Sequence, residues 1–187
     1  MKTSRPAPGS HALALLALAC VAMGATSVSA ATIVVTSAAD SGAGSLRQAI
    51  TDSAVGGRIE FAPSLSGATI YLASTLTIDK GLTIDGSTLP VKITISGDSD
   101  ANGTGNFAPV IDASSVDLIT LDSLVMTKGF SLNASGGGIR NISGNLAITN
   151  SVITANTGWN GGGLFNLVGT VTVTRSTISG NTSMSSD

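Results

Sequence analysis

The sequence predicts an all-β protein, a parallel β-helix of about six coils of roughly 25 residues with a short capping helix near its N-terminus. Three observations predict it. The run Gly136-Gly137-Gly138-Ile139-Arg140-Asn141 returns as Gly161-Gly162-Gly163-Leu164-Phe165-Asn166, 25 positions later. At that fixed offset, and without a gap, Leu146 and Ile148 fall on Val171 and Val173, Ser151 on Ser176, Ile153 on Ile178 and Asn156 on Asn181. Between the glycines lie three short apolar and β-branched segments per repeat, 139–142, 146–149 and 152–154, then 164–167, 171–174 and 177–179, each too short for a helix. A leucine-rich repeat of similar period would need a Leu consensus and a helical segment, and neither is present.

Stacked coils make columns of like residues, each strand bonding to its copy one coil away at ~4.8 Å. Asn141 with Asn166 and Asn156 with Asn181 are expected to form two such columns, or ladders, at bends. There each amide bonds its neighbour and turn backbone. Asn also tolerates the left-handed turn conformation, which alone explains a single Asn better than two pairs in register.

Residues 1–30 read as a secretory signal, with Lys2 and Arg5 near the start, an uncharged run from Ala12 to Ala25, and Val28-Ser29-Ala30 as the small-residue cleavage site. Cys20 follows Leu18-Ala19, but a lipoprotein signal prefers Leu where Ala17 stands, so lipid anchoring is not expected and the chain is read as secreted or cell-surface. Cleavage removes His11 and Cys20, the only histidine and cysteine. Subtracting Lys2 and Arg5 from nine basic residues leaves seven against eleven acids, a net charge of −4. Disulfides, thiol nucleophiles, Ser-His-Asp chemistry and His-ligated zinc are thereby excluded from residues 31–187, and no basic face is expected for nucleic acid.

Residues 31–57 read as a cap. A strand alternates around Ile33 and Val35; then Ser45 starts a helix as N-cap, with Gln48 three residues on to complete a capping box. Leu46, Ala49, Ile50 and Ala54 lie on one face, and Gly56-Gly57 ends the segment. Such a helix would cover the open apolar end of the first coil.

The order of strand, Asp40-Ser41-Gly42-Ala43-Gly44-Ser45-Leu46-Arg47-Gln48-Ala49-Ile50, Arg58-Ile59-Glu60-Phe61 and Gly67-Ala68-Thr69-Ile70-Tyr71-Leu72 resembles the start of bacterial exported right-handed parallel β-helix proteins. These carry a Cys-Ser-Leu-Arg-Glu-Ala-Ile type of motif and later Gly-Gly-Gly-Ile…Asn repeats. Gly44 stands in place of the Cys and Gln48 in place of the Glu, both in the cap. The resemblance covers essentially all of residues 31–187. It implies an adhesin-like or pectate-lyase-like scaffold, which leaves activity open.

Residues 58–187 are assigned to the β-helix. Leu76-Thr77-Ile78-Asp79 and Leu82-Thr83-Ile84-Asp85 are read as neighbouring strands round a bend, with Asp79 and Asp85 as turn formers. Asp98-Ser99-Asp100-Ala101-Asn102-Gly103 matches the first half of a calcium loop, with Asp98, Asp100 and Asn102 as alternate oxygen ligands. The twelfth position, which needs a bidentate Glu, is Pro109, so an ordinary polar loop is the competing reading and no cofactor is required. Trp159 and Phe165 are the candidates for stacking on a sugar ring, although each also suits packing on the outside of a coil. After Asn181 no second cap is visible. The expectation is a fragment of a longer product, with further β-helix coils or another subunit at the C-terminal end.

Three functional readings follow. The first is a non-catalytic extracellular module, structural or adhesive, whose partner is a polysaccharide or surface protein. The alternative is a polysaccharide lyase or glycoside hydrolase, for which Asp112, Asp117, Asp122, Lys128 and Arg140 are the available groups. The 25-residue register does not align these into a cluster. The third is a flat threonine surface of the ice-binding kind at Thr170, Thr172 and Thr174, broken where Thr172 falls on Ala147.

Overall fold

The computed structural model describes residues 31–107 and 109–185. The segment read as a signal, with Cys20, lies outside them. The described chain is an all-parallel β-solenoid of about six turns.

The first turn holds β1 (Thr32–Val35) and α1 (Leu46–Asp52); the second holds β2 (Gly57–Phe61) and β3 (Thr69–Tyr71). In the third are β4 (Leu76–Ile78), β5 (Leu82–Asp85) and β6 (Ile93–Ser96). The fourth has β7 (Ile111–Asp122) and β8 (Leu124–Thr127), and the fifth β9 (Ile139–Thr149), β10 (Val152–Thr154) and β11 (Thr157–Gly158). The sixth has β12 (Leu164–Asn166), β13 (Thr170–Thr174), β14 (Thr177–Ser179) and β15 (Thr182–Ser183). They form an eight-stranded sheet (β1, β2, β4, β5, β7, β9, β12, β13), a five-stranded sheet in the order β14-β10-β8-β6-β3, and the pair β11-β15.

Alternation decides which side chains fill the solenoid. Ile84, Leu121 and Ile148 share one register column, and Ile70, Ile95, Met126 and Ile153 another; all are fully buried. The 25-residue offset is the real pairing distance in the last two coils, where Ile139 pairs Leu164, Leu146 pairs Val171 and Ile153 pairs Ile178. The sixth coil exposes its members of these columns, Val173 to 41% and Ile178 to 43%.

Two expected boundaries differ. The segments 139–142 and 146–149 are continuous in β9, and the corresponding halves of β7 are continuous too, because both strands stay paired through the bend with register shifts at Ala113/Ser114 and Ser115/Ile119. In coil three the same two halves are separate, as β4 and β5, both bonded to β7.

The helix buries Leu46, Ala49 and Ile50 in the core. Ala54 is exposed beyond the helix end and does not join that face. The Ser45 hydroxyl accepts the Gln48 backbone N–H at 3.2 Å. The Gln48 side chain bonds Asp52 at 2.7 Å instead of reaching back, and the Ser45 N–H is taken by the Gly42 carbonyl at 3.2 Å. Half of the capping box is therefore made by the preceding turn. Arg47 fastens the helix to the carbonyls of Ser74 and Thr75 at the entry to the third coil, and pairs with Asp40 in the loop before the helix. Lys80 caps the carbonyls of Thr51 and Ser53 at the helix end.

Candidate functional site

Register distances locate two interruptions of the repeat. Leu82 pairs with Ile119, 37 residues on, and Ile93 with Leu124, 31 on, whereas Leu146 pairs with Val171 after 25; 37 − 31 = 6 extra residues lie in the bend 86–92 before β6, and 31 − 25 = 6 more follow β6. The second interruption includes the loop 97–106, which leaves the solenoid after β6 and returns with the Asn106 N–H on the Gly97 carbonyl at 2.9 Å. Beyond β6 the pairing row Ser96–Thr127–Thr154–Ser179 continues two residues on to Asp98, Gly129, Asn156 and Asn181. Asp98 thus occupies the asparagine column.

The asparagines of the column bond from coil to coil. Asn156 donates to Asn181 Oδ1 at 2.9 Å and to the carbonyls of Met126 and Thr154, while its Oδ1 accepts the Gly129 N–H at 2.9 Å. Asn181 donates to the carbonyls of Ile153 and Ser179. In the other column Asn141 donates to Asn166 Oδ1 at 2.7 Å and to the Gly144 carbonyl, and Asn166 to the Gly169 carbonyl. A serine column runs alongside: Ser151 Oγ accepts the Leu124 N–H at 3.1 Å and Ser176 Oγ the Ser151 N–H at 3.0 Å. The Ser151/Ser176 match in the repeat was the available signal for it. The triple glycine makes room for these ladders, since a Cβ on Gly138 or Gly163 would lie 2.9 or 2.7 Å from the Nδ2 of Asn156 or Asn181.

Asp98 is buried and spends both carboxylate oxygens on the loop's own backbone, accepting Asn102 N–H at 3.1 Å and Gly103 N–H at 2.7 Å. Asp100 accepts the Asn102 amide at 2.8 Å, and Asn102 Oδ1 accepts the Thr104 N–H at 2.8 Å. Lys128 Nζ donates to the Gly103 carbonyl at 2.7 Å, bringing a cation to the loop from the coil wall. The oxygens of Asp98, Asp100 and Asn102 thus hold a self-capped turn. Among the described residues no group of three or more acidic, His or Cys side chains is placed to hold a metal ion.

Between this loop and the coil wall lies a groove of ≈ 440 Å³. Gly103, Thr104 and Gly105 form one side; Lys128, Gly129, Phe130, Ala155 and Thr157 form the other. Phe130 is 41% exposed and bridges Thr157 of the next coil. Lys128 and Ala155 have φ of 59° and 54°, so this wall turns through the left-handed region in successive coils. The groove offers an aromatic face, two threonine hydroxyls, a lysine ammonium and open turn backbone. No Asp, Glu or His lines it.

Trp159 stands two residues after Thr157 and is 45% exposed. It lies just past the end of β11 and does not line the groove. Its backbone is fixed by the Ala134 carbonyl and by Ser183 and Ser185. Phe165 is elsewhere: it pairs with Arg140 in the eight-stranded sheet and is partly buried. The two candidate aromatics are not brought together, and Phe130 is the aromatic that the groove contains.

Of the carboxylates proposed for catalysis, Asp112 and Asp122 have partners of their own, while Asp117 is exposed on β7 with its backbone N–H on Ser115 Oγ at 3.2 Å. Asp112 is held by Arg140 through Nη2 at 2.5 Å and Nε at 3.3 Å, and by Ser114 Oγ. The Arg140 pKa is raised above its ordinary value, first by this hydrogen bond to Asp112 and then by the Asp112 charge, against burial, which lowers it. A raised pKa on a base contributes stability that is complete below the unfolded value and lost only as pH rises through the folded one. The Arg140 contribution therefore stays constant throughout the neutral range. Glu60, Asp85 and Asp122 stack in one register column, a repulsive arrangement on its own. Arg58 pairs with both Glu60 and the buried Asp85, and Asp122 accepts Ser123 Oγ at 2.9 Å and Asn150 Nδ2 at 3.0 Å.

Comparison of the chain with protein-family models, curated proteins and solved structures finds no match.

Proposed function

We propose that this chain is an exported, non-catalytic β-helix module with a structural or adhesive role, of the right-handed type with a Cys-Ser-Leu-Arg-Glu-Ala-like N-terminal motif, and that it holds a polysaccharide chain in the groove beside Phe130. The observation that carries the reading is the composition of that groove. A sugar ring presents an apolar face and a rim of hydroxyls, and Phe130 with Thr104, Thr157 and Lys128 supplies a surface for each. Trp159, exposed just past β11, provides a second stacking surface for a longer oligosaccharide. Cleavage of a glycosidic bond calls for a positioned acid and base. The lining has neither carboxylate nor histidine, and the carboxylates on the eight-stranded sheet, the exposed Asp117 apart, are tied to Arg58, Arg140, Ser114, Ser123 and Asn150.

Titration with an oligosaccharide panel tests the reading. Phe130→Ala is expected to weaken binding about tenfold, corresponding to ~1.4 kcal/mol, and Lys128→Ala less, with Phe165→Ala unchanged. Equal affinities for wild type and Phe130→Ala would place the sugar site elsewhere.

A further inference from the structure

The strands of this solenoid segregate their charges. Seven charged residues, from Arg58 to Arg140, lie on strands of the eight-stranded sheet, and none lies on β3, β6, β8, β10 or β14. The outward positions of the five-stranded sheet form two ranks. One is Thr69, Thr94, Val125, Val152 and Thr177; the other opens at Thr127, Thr154 and Ser179. Ahead of Thr127 in the second rank, Ser96 is buried with its hydroxyl on the Asp98 N–H, and Tyr71 stands at the far edge. No register shift interrupts the five strands, unlike β7 against β9, and α1 packs on β1 instead of here.

Size and chemistry decide what such a face can hold. Five strands at ~4.8 Å spacing and ranks ~7 Å apart define a patch about 24 Å long and about 10 Å wide. The resulting ~240 Å² is far below the ~800 Å² per partner of a stable protein interface. Tyr71 is its only aromatic and lies at one edge, so a sugar chain finds no stacking row. What remains is a neutral two-dimensional repeat of hydroxyl and methyl groups, carried by Thr and Val side chains that are stiff at χ1. Charged groups impose hydration shells of their own, whereas a neutral lattice of water donors and acceptors is complemented by neutral hydroxyls at fixed spacing.

We propose that the outer face of the five-stranded sheet binds ice. This is a second activity, independent of the Phe130 groove and on a different face from the Thr170–Thr174 strand of the eight-stranded sheet. The test is thermal hysteresis and ice-crystal shaping by the full chain, with circular dichroism to confirm folding. Wild type and Thr172→Lys, whose change lies on the other sheet, are expected to shape crystals and open a hysteresis gap. Thr154→Lys is expected to lose both with its spectrum unchanged, and Val152→Lys, in the first rank of the same coil, serves if Thr154→Lys does not fold. Absence of hysteresis in wild type, or its retention in the face variants, overturns the proposal. Retention on crystalline cellulose that Thr154→Lys abolishes, without hysteresis, also overturns it, in favour of a glycan surface.

Discussion

Asn156 is fully buried, and its one side chain serves three coils: Gly129 and Met126 behind it, Thr154 in its own, and Asn181 ahead. Its removal leaves a buried N–H and two carbonyls short of partners, so Asn156→Ala is expected to cost ~1–3 kcal/mol in urea unfolding. Asn166→Ala, on an exposed residue, should cost under ~1 kcal/mol. Comparable losses in both would mean that the ladder's strength does not come from burial. Both Asn pairs were legible in the sequence because the last two coils keep the 25-residue offset. Asp98 falls in the same column as Asn156, but the offset there is 31 residues in place of 25, and its neighbours Asp100 and Asn102 also fit the first half of a calcium loop. Since both Asp98 oxygens already accept backbone N–H groups, adding millimolar calcium is expected to leave the melting temperature unchanged, while Asp98→Ala lowers it without calcium. A calcium-induced rise that Asp98→Ala with Asp100→Ala removes would support the metal reading.

At the scale of elements, the helix shows what local sequence signals resolve. Ser45 followed by Leu46, Ala49 and Ile50 was enough to place its start and its buried face, because capping and 3.6-residue periodicity are local. The partner of the Ser45 N–H was not legible, since Gly42 supplies it through the backbone, and Gln48 turned to Asp52 one helical turn along. Ser45→Ala should cost ~1 kcal/mol, read as a shift in the urea midpoint with unchanged slope. Arg47→Ala should leave helix propensity almost intact and yet loosen the cap, because its partners Ser74 and Thr75 lie at the entry to coil three. Faster amide exchange in α1 than in β5 of that variant would show it. The strands β11 and β15 escaped sequence reading because Thr157-Gly158 and Thr182-Ser183 are too short for any pattern. They matter out of proportion to their length, since β11 sets Thr157 in the groove and Trp159 beyond it.

For the molecule as a whole, coil stacking distributes chemistry by face. The eight-stranded sheet carries the paired charges, the five-stranded sheet a neutral hydroxyl surface, and the corner beside the loop 97–106 the groove. The sequence revealed that coils stack, because stacking is a matter of period. It did not reveal the groove, because Gly103 and Phe130 meet only through the register that follows an irregular coil. Binding without cleavage is the central claim for that groove. Its most direct measurement is the chain-length distribution of an oligosaccharide-defined polymer that the protein retains on an affinity gel, followed over long incubation. Polymer held by wild type, released by Phe130→Ala and unchanged in length agrees with a scaffold. Shortening of the retained polymer by the purified chain, persisting in Phe130→Ala, would contradict it and place catalysis on the eight-stranded face near Asp112 and Arg140.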